Sequence, residues 1–366
     1  MDKSPNNNSD NRPDSRGNIS YSHGDGQQQI IAYWLFVMCA MVFIMVILGG
    51  VTRLTHSGLS MVDWRPITGW LPPLNDAEWQ AVFELYKQSP EFRKVNFDLD
   101  VEGFKSIFWL EFTHRLWGRA MGVVFIVPFL FFLVKGWVSR PMAPRLILIF
   151  ILGGFQGLLG WYMVKSGLID RPDVSQYRLT AHFSAAVLIY GYMFWVALSL
   201  IKQSKEALGE NVKSLAILTR FTVVWIFVTM MSGGFVAGLD AGLTYNAFPL
   251  MDGHLIPDNL FVEDPWYLNF FENITTVQFN HRILAEITFV LVLIIWFKAR
   301  RLEIEPALRR NINLFTGMAL IQVALGITTL LLVVPIIFAA LHQAGAILLL
   351  TFALMVVHEW FGKKIR

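Results

Sequence analysis

Eight apolar runs follow one another along the chain, near residues 30–51, 107–134, 145–164, 180–201, 220–239, 278–297, 313–334 and 340–360. At a rise of 1.5 Å per residue, each is about long enough to cross a hydrocarbon core of roughly 30 Å. Buried helices of a soluble enzyme would need polar helices to cover eight such segments, and the sequence supplies none. The fold class expected is an all-α polytopic membrane protein with eight transmembrane helices. Composition agrees: 55% of residues are hydrophobic and only 16% charged, where a soluble domain carries about a quarter. The single cysteine, Cys39, lies inside the first run, so no internal disulfide forms. A net charge of +3 is too small to argue for a nucleic-acid partner.

Residues 1–28 are rich in Asn, Ser, Asp, Gly and Gln, too polar to offset the entropy of ordering, and are expected to form a disordered cytoplasmic tail. They lack the apolar stretch of a secretory signal. Asp2, Asp10, Asp14 and Asp25 also set them apart from an Arg-rich mitochondrial presequence. The short loops 135–145, 202–220 and 298–310 are basic, as are Lys363, Lys364 and Arg366, whereas 240–277 and 335–341 contain no Lys or Arg. Basic loops stay inside, so both termini are predicted to face the cytoplasm and the even-numbered runs to begin on the outer side.

The chain repeats itself. Gly49-Gly50, Gly58-Leu59, Gly69, Leu71 and Pro73 recur 184 positions later as Gly233-Gly234, Gly242-Leu243, Gly253, Leu255 and Pro257. Glu111-Phe-Thr-His114-Arg115 in run 2 matches Gln278-Phe-Asn-His281-Arg282 in run 6; Gln156 and Gly160 match Gln322 and Gly326, and His182 matches His342. Four helices thus repeat as four in the same orientation. The expected organisation is a tail (1–28), a first four-helix half (29–201), a cytoplasmic linker (202–219) and a second half (220–366).

Of eight histidines, His114, His182, His281 and His342 occupy equivalent places. A lone intramembrane histidine is more often a hydrogen-bonded packing residue than a ligand. Two repeats that place the same pair weaken that reading, because an ionisable group is expensive in a transmembrane segment. Zinc calls for three or four ligands, and copper for Met or Cys in a set pattern. Two imidazoles facing one another across a bundle suit the axial positions of a haem iron. Arg115 and Arg282 follow the ligand histidines and can meet haem propionates or simply snorkel to the interface. Glycines such as Gly153, Gly154 and Gly157 allow close approach of a flat macrocycle, or ordinary helix packing.

The halves also differ. Glu111 stands one turn before His114, where the second half has Gln278, and the loop residue His56 is replaced by Asp240. The first site is therefore expected to perform chemistry and the second to move electrons, although Glu111 is also spaced to pair with Arg115 at i+4.

The stretch Gly49-Gly50-Val-Thr-Arg53-Leu-Thr-His56-Ser-Gly58-Leu-Ser, continuing to Asp63-Trp64-Arg65-Pro66-Ile-Thr-Gly69, resembles the haem A synthase family, and Glu111-Phe-Thr-His114-Arg115 with His182, His281 and His342 extends the likeness over roughly residues 30–360. The resemblance implies eight helices in two related halves and an oxidoreductase that converts haem O to haem A by oxidising a porphyrin methyl to a formyl group. It implies His114 and His182 as ligands of the substrate haem, Glu111 as its essential carboxylate, and His281 and His342 as ligands of haem b. His56 falls in the loop expected to cover the substrate. Some bacterial members carry a cysteine pair in an outer loop; its absence here matches the mitochondrial-like branch. The partners implied are haem O, membrane lipid, haem O synthase, cytochrome oxidase assembly proteins and an unnamed electron partner, with homo-oligomerisation left open. The expected location is a bacterial inner membrane rather than the mitochondrial one. Two other classes explain part of the pattern. A di-haem b cytochrome oxidising quinol leaves Glu111 without a purpose, and a haem carrier predicts ligands near the midplane.

Overall fold

The computed structural model describes residues 23–65, 68–167, 174–202, 210–362 and 365. Ten α-helices and two 3₁₀ turns account for the regular structure, and no strand occurs among the described residues. The helices are α1 (His23–Leu54), α2 (Asp76–Lys87), α3 (Pro90–Lys94), α4 (Val101–Val134), α5 (Ala143–Gly167), α6 (Gln176–Ile201), α7 (Glu210–Gly238), α8 (Ile274–Arg300), α9 (Pro306–Leu331) and α10 (Ile336–Phe361). Each apolar run of the sequence falls within one long helix, apart from run ends that reach a residue or more beyond α7 and α9. Seven of them, α1, α4, α5, α6, α7, α9 and α10, are long and apolar enough to cross a membrane. The protein is thus a multi-pass helical membrane protein. Helix α8 is outside that set; its first half carries Asn280, His281, Arg282 and Glu286, so its crossing rests on its place in the repeat.

Boundaries shift where caps and tertiary contacts outweigh apolar content. Helix α4 starts at Val101, before its apolar run, because the Asp100 side chain accepts from Gly103 N at 2.8 Å. Asn273 caps α8 in the same way, 2.9 Å from Thr275 N. Helix α1 begins at His23, so residues 23–28 continue a helix and do not belong to a tail; 1–22 lie outside the described residues. Likewise α7 starts at Glu210, inside the expected linker 202–219, of which 203–209 lie outside the described residues.

The core lies where α1 and α6 of the first repeat meet α7 and α10 of the second. Leu35 and Met38, Met193 and Ala197, Ile226 and Met230, and Ile347 and Leu350 pack there, with Phe125, Phe129 and Phe132 of α4 alongside. The first and last helices of each repeat therefore build the joint, and α4, α5, α8 and α9 lie outside it. Apolar side chains of α5, such as Ile151, Phe155 and Leu158, are exposed.

The long connection after α1 is not structureless. In α2, Trp79, Phe83 and Tyr86 recur at i, i+4 and i+7, and they bury against Phe104, Phe108 and Phe112 on the first turns of α4. Trp79 and Phe108 meet edge to face at 5.0 Å, and Tyr86 stacks on Phe104 at 5.0 Å. This aromatic wedge seats a two-helix cap on the end of α4 that holds Glu111 and His114.

Candidate functional site

Each of the four repeated histidines lies against a glycine of a neighbouring helix. A Cβ on Gly49 would stand 3.2 Å from His114 Nε2, one on Gly160 2.9 Å from His182 Cε1, one on Gly233 3.1 Å from His281 Cε1, and one on Gly326 2.9 Å from His342 Cε1. The repeated glycines thus admit imidazole rings. Gly153, Gly154 and Gly157 have open space at their Cβ positions, so no protein atom requires glycine there. His114 and His182 are close enough to interact electrostatically, and so are His281 and His342. All four are half-buried.

A second repeated device ties a loop to each site. Arg115 donates to the carbonyls of Met61 at 2.9 Å and Asp63 at 3.2 Å. Arg282 donates to the carbonyls of Tyr245 and Ala247, both at 2.8 Å, and these are the residues 184 positions later. Glu111, 2% exposed, accepts from Ser60 Oγ and Met61 N, each at 2.8 Å, and pairs with Arg115. Gln278, its counterpart, donates to Tyr245 O at 3.0 Å. Both arginines are thus engaged with loop carbonyls, and the i+4 pairing of Glu111 with Arg115 is formed. The first half differs in using an ion pair where the second uses an amide. That difference places a buried carboxylate one turn from His114, where the second half has an amide.

Gln156 and Gln322 also act alike, donating to the backbone carbonyls of His182 at 2.8 Å and His342 at 2.9 Å. Their equivalence is visible in the sequence, but their role is not. His56 is exposed and holds a left-handed backbone with φ of 50°, as does Asp240 with φ of 50°. Both lie just beyond the end of a repeat's first helix. Asp240 accepts from Arg53 at 2.9 Å, a bridge between the halves that no motif announces. His254 lies in a loop, bridged to Met251, and His358 is buried 3.0 Å from Ser199 Oγ, away from both pairs. His23 starts α1.

Among the described residues no three His, Cys, Asp or Glu side chains gather as a metal cluster; the imidazoles stand in twos. The family model described as cytochrome oxidase assembly protein, COX15-CtaA, matches residues 32–354. The heme A synthase of Nitrosospira multiformis is 53% identical over 91% of this chain and 94% of its own length. Heme A synthase COX15 of Arabidopsis thaliana is 46% identical over 92% of this chain and 75% of its own length. That of Homo sapiens is 44% identical over 94% and 85%. With the duplicated histidine pairs and a match that spans nearly the whole chain, this protein belongs to the haem A synthase family.

Proposed function

We propose that the protein converts haem O to haem A by oxidising one porphyrin methyl to a formyl group in its first half, while its second half holds a resident haem b. The observation that carries this reading is the duplicated histidine pair with a single carboxylate. Both halves present two imidazoles backed by glycine, a donor set that fits the two axial positions of a haem iron. Only the first half has a buried carboxylate beside them.

In this reading His114 and His182 bind the substrate through its iron and fix its orientation, and His281 and His342 hold haem b. When bound, haem b supplies an iron that carries electrons. Glu111 is held in place by Ser60, the Met61 backbone and Arg115. A fixed negative charge in a low-dielectric site stabilises positive charge that develops at the methyl carbon, and this is the role assigned to it. Arg115 orients Glu111 and anchors the 61–63 loop, and Arg282 anchors the 245–247 loop. Propionates of each haem add negative charge that either guanidinium can meet in addition. The cap formed by α2 and α3 is assigned the exclusion of water from the first site, and His56 lies in the loop that precedes it.

The basic loops support a topology with both termini in the cytoplasm, all eight long helices crossing, and both sites near the outer side of a bacterial inner membrane. Two four-helix halves, a cytoplasmic linker and an outer-leaflet reaction belong to the same reading. The test is pigment extraction from cells that express this chain and make haem O. Haem A with hydroxymethyl intermediates is expected. Haem b alone would instead indicate an electron-transfer cytochrome, and haem O passed on unchanged a carrier.

A further inference from the structure

The two histidine pairs are not held equally. Ser232 Oγ lies 2.8 Å from His281 Nδ1 and also donates to Thr229 O at 2.7 Å. With the hydroxyl proton committed to that carbonyl, the oxygen can only accept from Nδ1. With its proton on Nδ1, His281 faces both Ser232 Oγ and the Thr229 carbonyl, which leaves the Nε2 lone pair free for a metal. His342 Nδ1 has the Gln322 amide at 3.1 Å. The same amide nitrogen donates to the His342 carbonyl at 2.9 Å, so Gln322 ties the ring and its backbone to one group.

The first half lacks these supports. The position 184 residues before Ser232 is Leu48, which has no hydroxyl. His182 Nδ1 is buried without a hydrogen-bond partner. Gln156 reaches the backbone of His182 and not its ring. Ring orientation sets His114 apart: His182, His281 and His342 turn Cε1 towards their glycines, whereas His114 turns Nε2 itself onto Gly49. Helix α4 also meets α5 far less than α8 meets α9, so the first bundle is the looser.

We infer that Ser232 is a positioning residue that fixes the tautomer and aim of His281, making the second pair a preorganised site that retains haem b, whereas the first pair, with Leu48 in that place, is built to exchange substrate for product. This inference rests on the haem b reading of the second half. A ligand imidazole whose Nδ1–H is hydrogen-bonded is more basic and better oriented, and loss of such an outer partner costs about 10- to 100-fold in affinity.

The experiment uses purified full-length protein carrying His114→Ala, so that haem b is held by the second pair alone. Haem transfer to excess apomyoglobin is timed, and the midpoint potential is titrated. Ser232→Ala is expected to release haem at least about tenfold faster and to raise the potential, because a less basic imidazole favours the ferric state less. Ser232→Thr, which restores a hydroxyl, is expected to reverse both changes. Unchanged release and potential in Ser232→Ala would overturn the inference while leaving the haem b assignment standing. Retention of the low-spin haem b spectrum in both His281→Ala and His342→Ala would overturn the assignment itself and the inference with it.

Discussion

Alanine at Gly326 is expected to expel haem from the second pair by pushing on one imidazole. The new Cβ would stand 2.9 Å from His342 Cε1, 3.4 Å from Nδ1 and 3.6 Å from Nε2. Carbon atoms pack at about 3.5–4.0 Å, so the ring must retreat by roughly 0.5 Å or more. It is not free to do so, because Gln322, one turn earlier on the same helix, holds both its Nδ1 and its backbone carbonyl. Iron–ligand distances tolerate only about 0.2 Å. Overpacking a filled site costs about 1–3 kcal/mol, which at about 1.4 kcal/mol per tenfold corresponds to roughly 5- to 150-fold weaker haem retention. The assay is the rate of haem transfer to apomyoglobin together with the low-spin spectrum. Gly153→Ala is the control, since nothing lies within 4 Å of its Cβ position. Wild-type retention in Gly326→Ala would refute the argument that these glycines exist to seat imidazole rings.

Glu111→Gln is expected to insert and keep haem b, because Gln278 and Arg282 already hold the equivalent loop without a carboxylate, yet to stop haem A formation; pigment analysis of the variant that showed wild-type haem A would remove the charge from the mechanism. Asp240→Asn breaks the bridge to Arg53, but Asp240 is 43% exposed, so thermal unfolding is expected to change by less than about 1 kcal/mol; a larger loss would make the bridge a principal tie between the halves. A cysteine at the exposed Asp98 is expected to react with an impermeant thiol reagent in intact spheroplasts, and one at the exposed Glu303 only after the membrane is opened. The reverse pattern would invert the topology. The native Cys39 is buried and gives little background.

The long helices, their order and the repeated places of the histidines were legible because each leaves a strong one-dimensional mark: a long apolar run, or a motif at constant offset. The faces towards which the glycines turn were not legible, since a glycine in an apolar helix has the same spacing whether it meets a ring, a helix or lipid. Gly160 and Gly153 stand in one stretch, yet only the former meets an imidazole. The i+4 spacing of Glu111 and Arg115 was readable, but not their shared grip on Met61, which depends on how the loop after α1 folds back. Helix α2 was missed although Asn75 and Glu78 spell a cap and Trp79, Phe83 and Tyr86 a helical stripe; a search for membrane spans passes over short amphipathic helices. The Ser232–His281 bond was in principle visible as the Ser/Leu mismatch beside Gly233-Gly234 and Gly49-Gly50.

The division of labour between the halves is tested most directly by exchanging which pair is broken. Protein purified from haem O-producing cells is compared as His114→Ala and His281→Ala, with the low-spin haem b spectrum and the extracted pigments both recorded. The account predicts that His114→Ala keeps the haem b spectrum and yields no haem A, and that His281→Ala loses the haem b spectrum. Loss of haem b in His114→Ala with its retention in His281→Ala would contradict the assignment of substrate to the first pair and cofactor to the second.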